Sequence, residues 1–477
     1  MYDVIIIGAG VVGCSTAYYL SQYEMNIALL EVHNDVANAT TKANSGCMHA
    51  GYDPEPGSLM AKYNVEGSLM AKELCEKLDV PYDNCGSLVL AYDQQDMQKL
   101  QQLLERGKQN GVKELHILDE KQTRELEPLL SKKVIGSLYA KTGAIIDPWQ
   151  YTIALAEVAV ENGVDLKLNN EVKAISKEDG IFTVTTNKDK YQCKYIINAA
   201  GVYADVVHEM IGEKEFTIIP VRGQYYLLDK IEGKKVSHVL FQCPSKAGKG
   251  VAVCPTVHGN MIVGPDAETV EFEDLATTSE ALNYIKERSA LTMDCINFRE
   301  NIRNFAGIRA RSDRKDFIIE ESKSVENFYN LAGMASPALT AACAIGYHVI
   351  DWLNTKEKFE KKDNYKETRK KIRFKDLSDE EKNELIAKNP AYGRIICRCE
   401  HITEGEILDS FNSPIPPQSI DAVKRRTNAG MGRCQSGFCG ERVAMILKEK
   451  LNIRFNEILL DKEGSNILMN KAKEGDY

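Results

Sequence analysis

Two sets of residues in this sequence have the types and spacing to do chemistry. Near the C-terminal end, Cys397-Arg398-Cys399 and Cys434-Gln435-Ser436-Gly437-Phe438-Cys439 give two close pairs of thiols. Four thiolates on two pairs suit an all-cysteine metal centre, with iron–sulfur and structural zinc both open on ligand type alone. Gly430, Gly432 and Gly437 leave that loop free to aim backbone N–H groups at sulfur. At the other end, Gly8-Ala9-Gly10-Val11-Val12-Gly13 follows an apolar run and opens another. Gly8 permits a tight turn, Gly10 lets the backbone approach a pyrophosphate, and Gly13 lets a helix pack on a strand. The helix start then offers unpaired N–H groups and the positive end of its dipole to phosphate. Glu31, at the end of the next apolar run, is placed to accept from ribose hydroxyls. This is a dinucleotide site; the motif alone leaves FAD and NAD both open.

The elements that position these residues follow from periodicity. Val4–Ile7 reads as a strand, the stretch through Leu20 as a helix, and Asn26–Leu30 as a second strand, the start of a βαβ fold. Residues 55–130 read as mostly helical, with a strand at Ser87–Leu90. Short strands near Val172–Ile175 and Phe182–Thr186 precede a buried one, Tyr195–Asn198. From about 215 to 330 the pattern is β-rich, at Gln224–Leu228, Gly250–Val253, Met261–Val263 and Phe317–Ile319. A strand and helix follow from Phe328 to about Trp352. Residues 355–392 are crowded with Lys, Glu and Asp and read as a charged linker with one or two solvated helices. The cysteine module spans 393–455, with helices expected at Thr403–Phe411, Ser419–Thr427 and Gly440–Lys450. A polar tail fills 456–477.

Composition sets bounds. At 477 residues the chain implies two or three domains. A net charge of −9 argues against a nucleic-acid partner. The first residues lack a basic segment and a small-residue cleavage site, so no signal peptide is expected. No apolar run approaches the roughly 20 residues needed to cross a bilayer, and no direct transmembrane anchor is expected. The 13 cysteines, an odd number mostly scattered singly in apolar stretches, point to a reducing compartment. A cytoplasmic location is expected, with any membrane association made through a partner.

Resemblance narrows the cofactor. Ile196-Ile197-Asn198-Ala199-Ala200-Gly201-Val202-Tyr203-Ala204-Asp205 is similar to the second dinucleotide motif of the glycine/D-amino-acid oxidase superfamily of flavoproteins. Asn330-Leu331-Ala332-Gly333-Met334-Ala335-Ser336-Pro337-Ala338-Leu339-Thr340 resembles that superfamily's closing flavin-contact segment. The resemblance implies FAD and an α/β fold: a Rossmann-like FAD-binding domain with an inserted β-rich substrate domain, plus a small helical C-terminal module. The FAD part would take about 1–80, 145–215 and 325–354, and the substrate part about 81–144 and 216–324. It also implies flavin-nucleotide contacts at Thr41, Ser45, Gly46, Val172, Ala200, Gly201, Gly333, Leu339 and Thr340, besides the three glycines and Glu31.

For the substrate, two branches of the superfamily are similar. Ala43-Asn44-Ser45-Gly46-Cys47-Met48-His49-Ala50-Gly51 and Pro220-Val221-Arg222-Gly223-Gln224-Tyr225-Tyr226 resemble L-2-hydroxyglutarate dehydrogenases. Phe305-Ala306-Gly307-Ile308-Arg309 resembles a motif of flavin-dependent glycerol-3-phosphate dehydrogenases, in which the arginine faces substrate. Both branches oxidise a secondary alcohol on a small anionic molecule. That chemistry needs a base, for which His49 is the candidate because imidazole titrates near neutral pH. It also needs a cation for the anion, and the Arg309 guanidinium can bind phosphate or carboxylate in two-pronged fashion. The bland readings are a packed loop histidine and a surface salt bridge. Arg222, Arg311 and Lys42 are secondary cations, and Tyr225 offers a hydroxyl. Where the glycerol-3-phosphate branch carries another arginine after the His-x-Gly turn, Tyr52-Asp53 stand here.

The stretch from Ile395 to Val443 resembles bacterioferritin-associated-ferredoxin-type [2Fe–2S] domains, and the C-terminal region of the anaerobic glycerol-3-phosphate dehydrogenase large subunit. It implies a [2Fe–2S] cluster on Cys397, Cys399, Cys434 and Cys439. Flavin domain plus cysteine module is the arrangement of that dehydrogenase, and the resemblance implies oxidation of sn-glycerol 3-phosphate to dihydroxyacetone phosphate, with electrons leaving to a second redox subunit, a flavoprotein or iron–sulfur protein. An L-2-hydroxyglutarate or related 2-hydroxy-acid dehydrogenase is the alternative, then an amine or opine dehydrogenase, then a non-catalytic electron-transfer subunit.

Overall fold

The computed structural model describes residues 1–244 and 250–468; of the expected tail, 469–477 lie outside the described residues. The chain opens as the glycine spacing predicts, with strand Tyr2–Ile7, helix Val11–Leu20 and strand Ile27–Leu30. The two strands pair in parallel from Val4↔Ile27 to Ile7↔Leu30. Strand Lys190–Asn198 joins the other edge, also in parallel, ending at Ile7↔Asn198. These strands are buried on both faces: Val4, Ile6 and Leu29 pack under helices Val11–Leu20 and Ala338–Leu353, while Ile5, Ile7, Ala28 and Leu30 pack with Val172, Ile175, Phe182 and Val184. Their C-terminal ends converge where an open α/β sheet forms its ligand crevice.

The sheet has eight strands. Val172–Glu178 and Ile181–Thr186 form an antiparallel hairpin beside Lys190–Asn198. Phe328–Ala332 pairs in parallel with the later half of Lys190–Asn198. Here one expectation is corrected. The strand read at Phe317–Ile319 as part of the middle sheet is Ile318–Glu321, and it pairs with Phe328–Ala332 in this first sheet. The connection is short, and Asn327 takes the left-handed conformation, φ 67°, that turns the chain straight back.

A second, nine-stranded sheet takes segments from both sides of the first. Ser87–Ala91 and Leu115–Asp119 come from the stretch read as mostly helical, where Leu115–Asp119 has no counterpart in that reading, and Gly136–Ala140 follows just beyond it. Strand Ile218–Leu228 pairs along its whole length with Asn301–Ser312, from Ile218↔Ser312 to Leu228↔Asn301. That partner is the longest strand among the described residues and was not evident from periodicity: Arg303, Arg309 and Arg311 do alternate with Ile302, Ile308 and Ala310, but Asn304 interrupts the apolar side and Phe305 and Gly307 stand on the polar one.

The charged stretch is not a loose linker. Only Asp379–Lys388 is a solvated helix, held by a capping box between Ser378 and Glu381. The segment before it lies as a strap along the first domain. Arg369 pairs with buried Glu157 at 2.6 Å, the Tyr18 hydroxyl donates to the Glu367 carbonyl, and Arg373 pairs with Asp79 at 2.7 Å.

The cysteine module then forms helices Glu404–Ser410, Ile420–Thr427 and Gly440–Leu451 around Ile407, Val423, Val443 and Leu447. It is docked by buried charge. The Asp35 carboxylate, in the loop after Ile27–Leu30, accepts from Arg425 Nη2 at 2.9 Å and from Arg426 Nη1 and Nη2 at 2.9 and 2.8 Å. All three side chains are almost fully buried. Arg425 also pairs with Asp461, which in turn pairs with Lys42. Gln150 Nε2 donates to the Arg425 and Arg426 carbonyls. The residues 456–467 read as tail thus fold back onto the module's face.

Removing one partner of a buried ion pair costs about 3–5 kcal/mol, because the remaining charges stay buried without compensation. Asp35→Ala is therefore expected to release the module, read as tryptic cleavage in 355–394 that the native protein resists. Burial alone would raise the Asp461 carboxyl, but Lys42 and Arg425 outweigh it and hold it down to about 2. Its contribution is thus fully present above pH 4 and declines as pH falls towards 2. The difference in urea stability between native protein and Asp461→Asn is expected to be flat above pH 4 and to shrink below it.

Candidate active site and cysteine centre

The first site forms at the C-terminal edge of the parallel strands. Gly8 adopts φ +103°, and a Cβ there would lie 2.5 Å from the Ala199 carbonyl oxygen; one on Gly13 would lie 1.9 Å from that of Gly8. Only glycine lets the turn, the helix and the Ala199-Ala200-Gly201 segment come this close. Thr41 Oγ1 accepts from the Val11 N–H at 3.1 Å and lies against Gly10, so Thr41 faces the same turn. Glu31 accepts from the Ala9 N–H at 2.8 Å and the His33 N–H at 2.9 Å, leaving lone pairs for ribose. Burial pushes its carboxyl up to about 7 despite these two bonds. The Asn170 N–H donates to the Glu31 carbonyl, which sets Val172 at the same edge.

Helix starts mark the cofactor surfaces. Among the described α-helices, those without a side-chain cap are Val11–Leu20, Ala204–Glu209, Ala338–Leu353 and Gly440–Leu451. The first three follow the glycine turn, the Ala200-Gly201 segment and the Gly333–Pro337 segment; the last follows Cys439. The remaining α-helices begin on Ser, Thr or Asp caps. Helix starts without an N-cap side chain at these places, the Val11 N–H being taken by Thr41 Oγ1, present positive dipole ends that fit a dinucleotide's phosphates and a flavin ring. The residues present therefore fit FAD.

His49 sits at the third of these helix starts. Its backbone N–H donates to Thr340 Oγ1 at 2.8 Å, and its Nε2 is hydrogen bonded to Ser336 Oγ at 3.1 Å. The ring stacks on Phe241, with centroids 5.4 Å apart, and Asn64 Nδ2 donates to the His49 carbonyl. Ser336 lies in the closing segment quoted from the sequence, though its pairing with His49 was not foreseen, and Phe241 and Asn64 escaped the sequence reading, since nothing local marks them. Ser45 and Gly46 lie on the same loop, and the Gly46 carbonyl accepts from the Ile146 N–H. Gly333, just past strand Phe328–Ala332, takes φ +70° and leads into Leu339 and Thr340.

Across from this loop lies one face of the second sheet. Register places Arg309 opposite Val221 and Gly307 opposite Gly223, so these four share a face with Tyr225 and Phe305. That face meets the first domain: a Cβ on Gly307 would lie 2.1 Å from the Ala43 carbonyl oxygen, and Thr40 Oγ1 donates to the Ile308 carbonyl. Gly223 makes room for the guanidinium of Arg309, whose Nη2 donates to the Asp266 carbonyl at 3.1 Å. Tyr225 stacks on Phe305 at 4.8 Å. Burial raises its hydroxyl, against the opposing pull of Arg309. Cys47 and Cys254 lie nearby with sulfurs 3.5 Å apart.

Three secondary candidates are placed elsewhere. Arg222 points to the opposite sheet face, where it pairs with Glu268 at 2.7 Å and Asp274 at 2.6 Å. Lys42 turns to Asn38 and Asp461 and serves docking. Arg311 shares the face of Arg309 but is exposed near the end of its strand. Strand alternation and a contact 419 residues distant in sequence decided these placements, and neither is local information.

The four module cysteines come together in two pairs. Cys399 and Cys434 sulfurs lie 3.5 Å apart, and Cys397 is hydrogen bonded with Cys439. That bond is the main cause lowering the Cys397 thiol to about 6, with Cys439 raised as the proton's holder. The Gly430 N–H points at Cys397 Sγ at 3.5 Å. Among the described residues, no group of three or more such side chains gathers as one metal ion would need. The two thiolate pairs supply the four-cysteine donor set that would hold a [2Fe–2S] cluster.

Family comparison agrees. Residues 3–352 match the FAD dependent oxidoreductase family, and residues 395–449 match the BFD-like [2Fe-2S] binding domain. A glycerol 3-phosphate dehydrogenase of Caloramator mitchellensis is 53% identical over 99% of both chains. The solved FAD-bound L-alpha-glycerophosphate oxidase of Mycoplasma pneumoniae has a TM-score of 0.74 at 34% identity, covering 77% of this chain and 98% of that one. An L-2-hydroxyglutarate dehydrogenase of Escherichia coli is 33% identical over 56% of this chain and 64% of its own.

Ribose hydroxyls donating to Glu31 favour its charged form, whereas the carboxyl of the flavin-free protein titrates near 7. FAD affinity is therefore expected to be flat above pH 7 and to fall by up to about tenfold per pH unit below it. Glu31→Gln is expected to bind more weakly with no such slope, read by quenching of FAD fluorescence on titration with apoprotein.

Proposed function

The chain belongs to the FAD dependent oxidoreductase family and carries a BFD-like [2Fe-2S] binding domain; from that premise, we propose that it oxidises sn-glycerol 3-phosphate to dihydroxyacetone phosphate and passes the electrons through the cluster to a partner protein. The observation that carries this is likeness along the whole chain, cysteine module included, to a glycerol 3-phosphate dehydrogenase. The glycerophosphate oxidase match covers nearly all of that enzyme but only about three quarters of this chain.

When bound, FAD supplies the two-electron acceptor for the hydrogen on C2, and the cluster supplies a one-electron outlet. The residues of this chain do the rest. Arg309 holds the phosphate in two-pronged fashion, its reach set by Gly223 and its orientation by the Asp266 carbonyl. His49 Nε2 takes the C2 hydroxyl proton as the C–H bond breaks, with Ser336 and Phe241 fixing the ring. Tyr225 supports the guanidinium from the same sheet face. The uncapped start of Ala338–Leu353 offers positive potential where negative charge gathers on the cofactor side. L-2-hydroxyglutarate is the second reading, favoured by the E. coli relative. A carboxylate would use the same arginine.

Anaerobic bleaching of the flavin band distinguishes the two: sn-glycerol 3-phosphate is expected to bleach it, and L-2-hydroxyglutarate to leave it unchanged. Loss of a hydrogen bond to a charged group costs about 1.5–3 kcal/mol. Arg309→Met is thus expected to lower kcat/KM by roughly 10- to 150-fold, mostly through KM. His49→Ala is expected to lower kcat by about 10²–10⁴ at little changed KM. Steady-state kinetics with a dye acceptor reads both.

A further inference from the structure

Taking as its basis the reading that electrons leave through the cysteine module, we infer that the rim of the two cysteine loops is the docking surface for an acidic one-electron carrier protein. Three observations converge there. Cys397 and Cys439 are buried, but Cys399 is exposed and Cys434 half-exposed, so one edge of the thiolate set reaches the surface. Phe438, between Cys434 and Cys439, is 83% exposed, the most solvated large aromatic of the described chain. An aromatic left in water beside a redox centre offers a compact apolar anchor.

The charge around it is the third observation. Segments 393–400 and 431–442 carry Arg394, Arg398, Arg433 and Arg442. Of their two carboxylates, Glu400 is buried on Lys230 at 2.8 Å, leaving Glu441 exposed. Arg394 and Arg433 are tied to Glu404 and Glu300, which fixes the loops, while Arg398 and Arg442 stand exposed. Set against exposed Glu441, these two arginines leave a small excess of positive charge on the rim of a chain whose net charge is −9. A basic rim around a small apolar centre gives electrostatic steering with little buried area, the combination that suits a fast, short-lived electron-transfer encounter. The complement is a protein with an acidic face around its own redox centre.

The test uses the FAD- and cluster-loaded protein with a purified acidic [2Fe–2S] ferredoxin as carrier. Binding is read by surface plasmon resonance at several salt concentrations, separately from turnover. The native protein is expected to bind more weakly as salt rises. The double variant R398E/R442E is expected to bind about tenfold or more weakly with that salt dependence gone, and Phe438→Ala to weaken binding at unchanged salt dependence. Flavin bleaching by substrate, turnover with phenazine methosulfate and the cluster's visible spectrum should be unchanged from native in both variants. Carrier binding by R398E/R442E equal to native would overturn the proposal. So would binding of vesicles of anionic lipid in place of the carrier. Native protein whose flavin no substrate bleaches would sink the functional reading instead, whatever the carrier does.

Discussion

Burying three charges is tolerable only when they satisfy one another, and Asp35 between Arg425 and Arg426 is where this molecule does so. Either guanidinium alone in that pocket would be an uncompensated charge, so the pocket exists only while the module is docked. The carboxylate lies just past the strand that ends in Glu31, on the loop serving the nucleotide. The arginines end helix Ile420–Thr427, which passes directly into Asn428 and Gly430, and the Gly430 N–H points at Cys397. One buried contact thus ties the position of the cysteines to the nucleotide loop. A second tie runs alongside: His258 bonds Asp147 Oδ2 at 2.9 Å and meets Asn428, and Asp147 follows Ile146, whose N–H donates to Gly46 on the His49 loop.

Close backbone approach is the companion constraint. Gly8, Gly13 and Ala199 meet at distances that exclude any Cβ, and Gly307 does the same where the second sheet meets Ala43. The first contact builds the nucleotide crevice, and the second brings Arg309 towards the loop of His49. Between them stand the helix starts without N-cap side chains, whose dipole ends face the cofactor surfaces, while the other helices are closed by their own Ser, Thr and Asp residues.

What could be read from the sequence was what is local. The glycine spacing, the strand before it and Glu31 after it carry their own geometry, and the Cys-x-Cys and Cys-x4-Cys pairs declare a four-thiolate centre. Helices at 404–427 announce themselves through Ser and Thr caps. What escaped depends on register or on distant pairing. Arg222 and Arg309 look equivalent as residues, yet strand alternation places them on opposite faces. Lys42 resembles a substrate cation until Asp461 arrives from the far end of the chain. Asp35 carries no mark at all, because its meaning lies in two arginines 390 and 391 residues away.

The central claim is that one docked chain carries electrons from substrate to its own cysteine centre. Freeze-quench electron paramagnetic resonance tests it most directly, on loaded protein mixed anaerobically with sn-glycerol 3-phosphate and no external acceptor. The account predicts that the paramagnetic signal of a reduced [2Fe–2S] cluster grows as the flavin band falls, within the first turnover. A flavin that bleaches fully while the cluster stays silent would contradict it, and would leave the module without its place in the reaction.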